Sequence, residues 1–367
     1  MQINFILTLF IIFSGLFFST KDNKHNRGIY IIVCCAILLL VAALRSPDWF
    51  TDRYGLDTLG YKNYFESTLN QGWKEILSII SQHYSSINFD IGFTILNIIL
   101  GWFTDSFYLF SLFADLLFFI PLGIILYRYS TNIYQLIFAF IFYLALIQVF
   151  LLAGARQIYA IGFDMMAFLC VIDRKRWLTI IFFLLGVSIH LSSLLFLIPL
   201  LMIWFNVKPQ TLKLIHVICF ILFPLILLSP NQFILLLSAA SGSERYANYG
   251  LGEISGGAST FIFLIEALSL LCLIAIRTSD LKKNTTLRSF YVMVPLFTIF
   301  APLVRGNGAM IRTSLYYHLY LMLLVPFAID YLCKKDTRLL ANYVAIIALA
   351  YFALKGGSSE YYFFWQI

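Results

Sequence analysis

Arg156 and Gln157 open an apolar run, RQIYAIGFDMMAFLCVI, in which Asp164 follows two helical turns later. A guanidinium is a planar fork of donors that holds phosphate or carboxylate oxygens two at a time. Near the middle of a bilayer such a charge costs roughly 2.5 to 3.5 kcal/mol on insertion scales. An arginine at a helix end can avoid that cost by reaching back to the headgroups. Here the polar character continues inward: at the rise of an α-helix, Asp164 lies about 12 Å deeper than Arg156. Ionisable groups at that depth face a cavity or a partner. Arg156 is therefore read as lining a cavity.

Similar residues recur at the ends of other apolar runs. They are Arg45, Arg53, Asp57, Tyr61, His190 with Ser192 and Ser193, Arg245, Tyr246, Arg305, Arg312, Tyr316 and Tyr317. Several arginines converging on one cavity suit a diphosphate, so Arg156 with Arg305 or Arg312 is expected to bind phosphate oxygens. Arg45, Asp57, Gln157 and Arg245 are candidates for shaping the site. Tyr61, Tyr316 and Tyr317 offer rings that stack on sugars. His190, in GVSIHLSS, is the candidate general base, because a neutral imidazole accepts the proton of an attacking hydroxyl near pH 7. His25, His83, His216 and His318 lack that setting. Asp115, Asp164 and Glu266 are intramembrane carboxylates, each expected to pair with a hydroxyl, an amide or an arginine between helices.

No HxxH or HExxH spacing occurs, and Asp48, Asp52 and Asp57 would ligate a metal only if the loop around them folded them together. No metal and no cofactor is expected. Walker A and GxSxG sequences are also absent, so the chemistry draws on a substrate that arrives activated.

The elements that position these residues follow from composition. The chain has 367 residues, of which 61% are hydrophobic and 12% charged, with a mean hydropathy of +0.88. That is too little polar surface for a soluble globule of this length. Apolar runs separated by short polar stretches predict an all-α, polytopic transmembrane bundle of about 11 to 13 membrane segments. A single integral membrane domain is expected over 1–367. The first run, INFILTLFIIFSGLFF, lacks a preceding positive residue and a following cleavage site, so it reads as a retained helix. The six cysteines show no CxxC spacing and read as packing residues.

Most of the 25 Lys and Arg lie in clusters at 21–27, 174–176, 208–213, 277–288 and 334–338, with Arg128 beside them. The positive-inside rule assigns these to the cytoplasm. The net charge of +7 is thus a matter of topology and not of nucleic-acid binding. Alternation then holds if 89–103 does not cross and if 177–205 crosses twice, breaking near His190. Both termini, Arg156 and two long segments, 45–90 and 230–258, fall outside. Each segment is expected to carry a short interfacial helix; in the first, Leu69, Trp73, Ile76, Leu77 and Ile80 have helical spacing over 66–84.

Three blocks, taken in order, carry a resemblance. LRSPDWFTDRYGLDTLGYKNYF contains Arg45, Gly55, Asp57, Tyr61 and Phe65, RQIYA follows at 156–160, and a basic turn, DRKR, precedes GVSIHLSSLLFLIPL. Together they resemble the EpsG family of Wzy-type polysaccharide polymerases. The resemblance implies a multi-pass enzyme of the bacterial cytoplasmic membrane that needs no metal. It would move a growing glycan from an undecaprenyl diphosphate carrier onto another lipid-linked repeat unit at the outer face. A chain-length regulator and a flippase would be its partners. The alternatives are a flippase or other transporter of lipid-linked oligosaccharide and a ligase-like membrane transferase. The topology has a direct check: alkaline phosphatase fused after residue 250 is expected to be active and after residue 283 inactive, whereas the opposite pattern would invert the arrangement.

Overall fold

A computed structural model describes residues 3–46, 56–69, 78, 91–241, 244–251, 259–356 and 361–366. Among them the secondary structure is helical without a strand, and one isolated bridge pairs Arg45 with Phe363. The chain forms two compact units, residues 1–197 with 342–367, and residues 198–341.

The first unit contains α1 (Ile3–Ser19), α2 (Lys24–Ala43), α3 (Leu56–Leu69), α4 (Ile91–Gly101), α5 (Phe107–Tyr129), α6 (Ile133–Leu146), α7 (Gln148–Ala153), α8 (Ala155–Ile172) and α9 (Arg176–Ile189). A 3₁₀ segment, Leu191–Phe196, follows α9. The second unit takes in most of α10 (Leu197–Trp204), then α11 (Pro209–Leu228), α12 (Pro230–Ser241), α13 (Glu244–Leu251), α14 (Ser259–Ala275), α15 (Thr278–Lys283), α16 (Thr285–Tyr291) and α17 (Met293–Phe300). It continues through 3₁₀ turns at Ala301–Arg305 and Gly308–Met310 to α18 (Ile311–His318) and α19 (Leu321–Leu332). The last helix, α20 (Lys335–Gly356), begins in the second unit and ends in the first.

Among the described residues six helical stretches are long and apolar enough to cross a membrane: α2, α5, α8, α11, Thr285–Arg305 and Lys335–Lys355. A seventh candidate is the pair Gly308–His318 and Leu321–Leu332, bent by 58°. Shorter apolar helices, including α1, α6 and α9, lie among them. The protein is a multi-pass helical membrane protein, as its composition predicts.

Local chemistry explains several boundaries. Asn23, Asn132 and Asn284 each cap a helix by accepting from the backbone N–H of Asn26, Gln135 and Leu287. The run 177–205 breaks where expected: α9 stops at Ile189, and His190 is extended, with φ −151° and ψ 115°. Helix α4 has 11 residues, about 16 Å of rise, against a hydrocarbon core of about 30 Å. Helix α3 was not expected, since its sequence shows no apolar stripe. Tertiary contacts make it: Phe65 packs on Phe107 and Phe110, and the Tyr64 and Thr94 hydroxyls bond at 2.6 Å. The amphipathic helix expected over 66–84 falls largely outside the described residues; Leu69 closes α3 and Ser78 is helical.

Side chains sort the two ends of the first unit as the charge pattern predicts. At the basic end Arg27 donates to Ser130 O at 2.8 Å and Asp22 accepts from the Ile133 N–H at 3.0 Å. Arg128 grips Asp173 with two bonds of 2.7 and 3.0 Å. That guanidinium holds the Asp173 carboxyl below its ordinary range, so this support is present at neutral pH and lost as the pH falls through the lowered value. Arg45, Thr58 and Tyr361 gather at the other end.

Helices α5 and α8 touch backbone to backbone. A Cβ on Gly162 would lie 2.1 Å from Leu117 O, a main-chain atom that cannot rotate away. Small residues allow this kind of approach between membrane helices. Gly162→Ala is expected to cost at least about 1 to 3 kcal/mol, seen as a lower melting temperature in detergent. Gly60→Ala, where a Cβ meets nothing within 4 Å, should leave it unchanged or slightly raised.

Candidate functional site

The site in the first unit is built on a broken helix. α7 ends at Ala153, Gly154 turns the chain, and α8 starts at Ala155. Carbonyls at the end of a helix lack intrahelical donors, and here two are taken by side chains from elsewhere. Leu151 O accepts from Arg45 Nη1 at 3.3 Å, and Leu152 O accepts from the Thr58 hydroxyl at 2.8 Å. On the other side of the break, Gly154 offers no side chain to cap α8. The first turn of α8 therefore presents the positive end of the helix dipole.

Arg156 stands in that first turn. A basic residue there opposes the dipole and does nothing for helix stability, but with the dipole it builds a positive patch suited to an anion. Two rings support the guanidinium, Tyr61 with its centroid at 5.8 Å and Phe93 at 5.6 Å. Tyr61 and Phe93 meet edge to face, and Tyr64 stacks on Phe93. Thus α3 and α4 bring an aromatic wall to the start of α8, consistent with cation–π support. Asp57 is half-buried in the first turn of α3, and Gln157 is buried.

Arg45 points inward. Its charge acts on Asp115, and the Tyr159 hydroxyl donates to that carboxylate. Tyr159 is one turn beyond Arg156, so Asp115 links the Arg45 side chain to α8. Asp164 accepts from the Ser193 hydroxyl, which lies 2.7 Å from each carboxylate oxygen. The Ser193 N–H donates to His190 O at 2.9 Å. Asp164 therefore tethers the segment carrying His190 to α8, two turns below Arg156. His190 Nδ1 is 2.6 Å from the Ser192 hydroxyl. Gly186 makes room for the tether, since a Cβ there would lie 2.9 Å from both Asp164 Oδ1 and Ser193 Oγ.

Asp115 and Asp164 thus have the hydroxyl partners expected of them. Glu266, in the second unit, departs from that expectation: both its carboxyl oxygens are buried without a hydrogen-bond partner among the described residues. One turn away, Ser269 belongs to a network the sequence did not reveal. His216 bonds Tyr291 OH at 2.6 Å and Ser269 Oγ at 2.9 Å, and Ser269 Oγ bonds Thr298 Oγ1 at 2.6 Å. The meeting of α11, α14, α16 and α17 makes this cluster, and no local signal around His216 announces it.

The other expected residues of the second unit are dispersed in character. Arg305 is exposed and Arg312 half-buried. Tyr316 and Tyr317 are 1% and 0% exposed, and Tyr317 stacks on Phe300. Their rings fill the interior of that unit and present no open face to a sugar, which corrects the stacking expected of them. Arg245 belongs to α13, and its side chain lies outside the described residues, as do Asp48, Asp52, Arg53 and Gly55.

Residues 48–365 match the family model described as the EpsG family. The chain belongs to the EpsG family. None of the curated proteins and none of the solved structures matches it. Members of the EpsG family are bacterial, and the family is Wzy polymerase-like, which makes this chain a membrane protein of polysaccharide biosynthesis. The match covers the broken helix, the aromatic wall and the His190 segment of this EpsG-family chain alike.

The Asp164 tether has a stability signature. Ser193→Ala leaves a buried carboxyl without its hydroxyl and is expected to cost about 1 to 3 kcal/mol. Asp164→Leu added to Ser193→Ala should recover part of that loss in a thermal melt, whereas purely additive losses would deny the pairing.

Proposed function

We propose that this protein is a polysaccharide polymerase acting on lipid-linked repeat units at the outer face of the bacterial cytoplasmic membrane. The observation that carries the reading is Arg156 at the uncapped, positive start of α8, backed by Tyr61 and Phe93. A diphosphate is the anion that such a patch fits, and aromatic rings beside it suit the first sugar of the donor.

In the proposed reaction the acceptor hydroxyl oxygen attacks the anomeric carbon of the donor glycan. The bond from that carbon to the diphosphate breaks, and the diphosphate leaves on its undecaprenyl carrier. The hydroxyl proton passes to a base, for which His190 is the proposed residue, oriented by Ser192 at Nδ1. The α8 amides and Arg156 stabilise the charge that develops on the leaving oxygen, the interaction that acts most strongly in a water-poor site. Gln157 and Asp57 are proposed to orient the donor, and Arg45 to shape the wall through Asp115. Arg305, Arg312 and Arg245 are proposed as phosphate-binding residues of the second unit.

Purified protein in lipid, supplied with the native undecaprenyl diphosphate-linked repeat unit, is expected to yield a ladder of multiples on a gel. Arg156→Ala should reduce extension by about a hundredfold or more while the protein stays folded, by analogy with loss of one oxyanion donor. Arg156→Lys should restore part of it, because a point charge replaces the fork. A single unextended band from folded wild-type protein would reject the polymerase reading. Movement of the labelled repeat across liposomes without lengthening would assign transport in its place.

A further inference from the structure

We propose that the C-terminal segment Tyr361–Gln366 is a positioning strap for the arginine site, holding Arg45 and, through Asp115 and Tyr159, the start of α8. The strap flanks one residue from both sides. Ser46 N–H donates to Tyr362 O at 2.9 Å, Phe364 N–H donates to Leu44 O at 3.1 Å, and the bridge they define pairs Phe363 with Arg45. The Tyr361 hydroxyl donates to Val41 O on the last turns of α2, 320 positions away in sequence. Phe364 stacks on Tyr108 of α5 with centroids 4.3 Å apart. Inside the strap, Gln366 Oε1 accepts from the Phe363 N–H at 2.8 Å, which closes the turn.

A membrane anchor would need only its rings, and Trp365, 59% exposed, has the amphipathic ring for that. Anchoring does not require two main-chain bonds around a single arginine. Fixing Arg45 does. With its backbone held, the Arg45 side chain reaches Leu151 O at the break and acts on Asp115, whose other partner is Tyr159. The strap thus connects to both sides of the Gly154 break, to α7 through Leu151 and to α8 through Tyr159.

The inference rests on the proposed anion site, and its test separates the two. Full-length wild type, Tyr361→Phe, Phe364→Pro and Arg45→Ala are placed in lipid nanodiscs. Modification of Arg45 by phenylglyoxal is followed by peptide mass, and binding of undecaprenyl diphosphate is measured alongside. Phe364→Pro removes the N–H given to Leu44 O, and Tyr361→Phe removes the hydroxyl given to Val41 O. Each is expected to speed Arg45 labelling severalfold and to weaken binding by about tenfold or less, the worth of one neutral hydrogen bond. Neither should weaken binding further in an Arg45→Ala background, an outcome that general loss of structure would not give. Wild-type labelling and wild-type binding in both variants would overturn the strap. If Arg45→Ala itself left binding unchanged while the strap variants still sped labelling, the strap would stand and the role of Arg45 at the anion site would fall.

Discussion

A helix interrupted inside a packed bundle leaves carbonyls on one side of the break and amides on the other without their intrahelical partners, and each needs another. The Gly154 break imposes that constraint on the first unit. The carbonyl side is answered from afar, by Arg45 after α2 and Thr58 of α3. The amide side is left to α8 with its arginine. Much of what surrounds the break follows from this asymmetry. Helix α3 must dock to deliver Thr58, and in docking it brings Tyr61 to Arg156. Helix α3 is therefore part of the site's wall.

The tether between Asp164 and Ser193 plays a different part. It joins α8 to the chain just after the α9 break, so the extended residue His190 is held between Gly186, whose carbonyl takes its N–H, and Ser193, whose N–H takes its carbonyl. A carboxylate buried in an apolar layer costs less when a hydroxyl meets it. Here the same bond fixes the register of a broken segment against its neighbour. The second unit has its own buried polar group centred on His216, with both ring nitrogens engaged. Full engagement makes that histidine a structural hub of the three helices it joins.

Sequence patterns revealed the helical class, the sorting of charged residues to two ends, the short α4 and the break at His190, because length and charge act locally and one residue at a time. They also singled out Arg156 and Asp164, since a charge within an apolar run is conspicuous in any context. They missed α3, whose helical state comes from Phe65 and Thr58 meeting other elements. They missed the His216 network, which exists only once α11 meets α14, α16 and α17. Tyr316 and Tyr317 were misread for a related reason: a tyrosine near a helix end reads the same whether its ring meets solvent or Phe300. The C-terminal aromatic run was passed over because its partners, from Val41 to Tyr108, lie far upstream in the chain.

The contact between Gly162 and Leu117 bears on how the protein meets substrates of different size. Where two helix backbones interlock without an intervening side chain, neither can slide or roll past the other without collision. Helices α5 and α8 thus behave as one rigid beam, and the height of Arg156 above Gly162 is fixed like a mark on a gauge. In the proposed reaction, adjustment to a bulkier or slimmer sugar would fall to α3 and α4, which bring side chains to the start of α8. In the proposed polymerase, tolerance for different repeat units would then come from the walls around Arg156 and not from the register of α5 against α8.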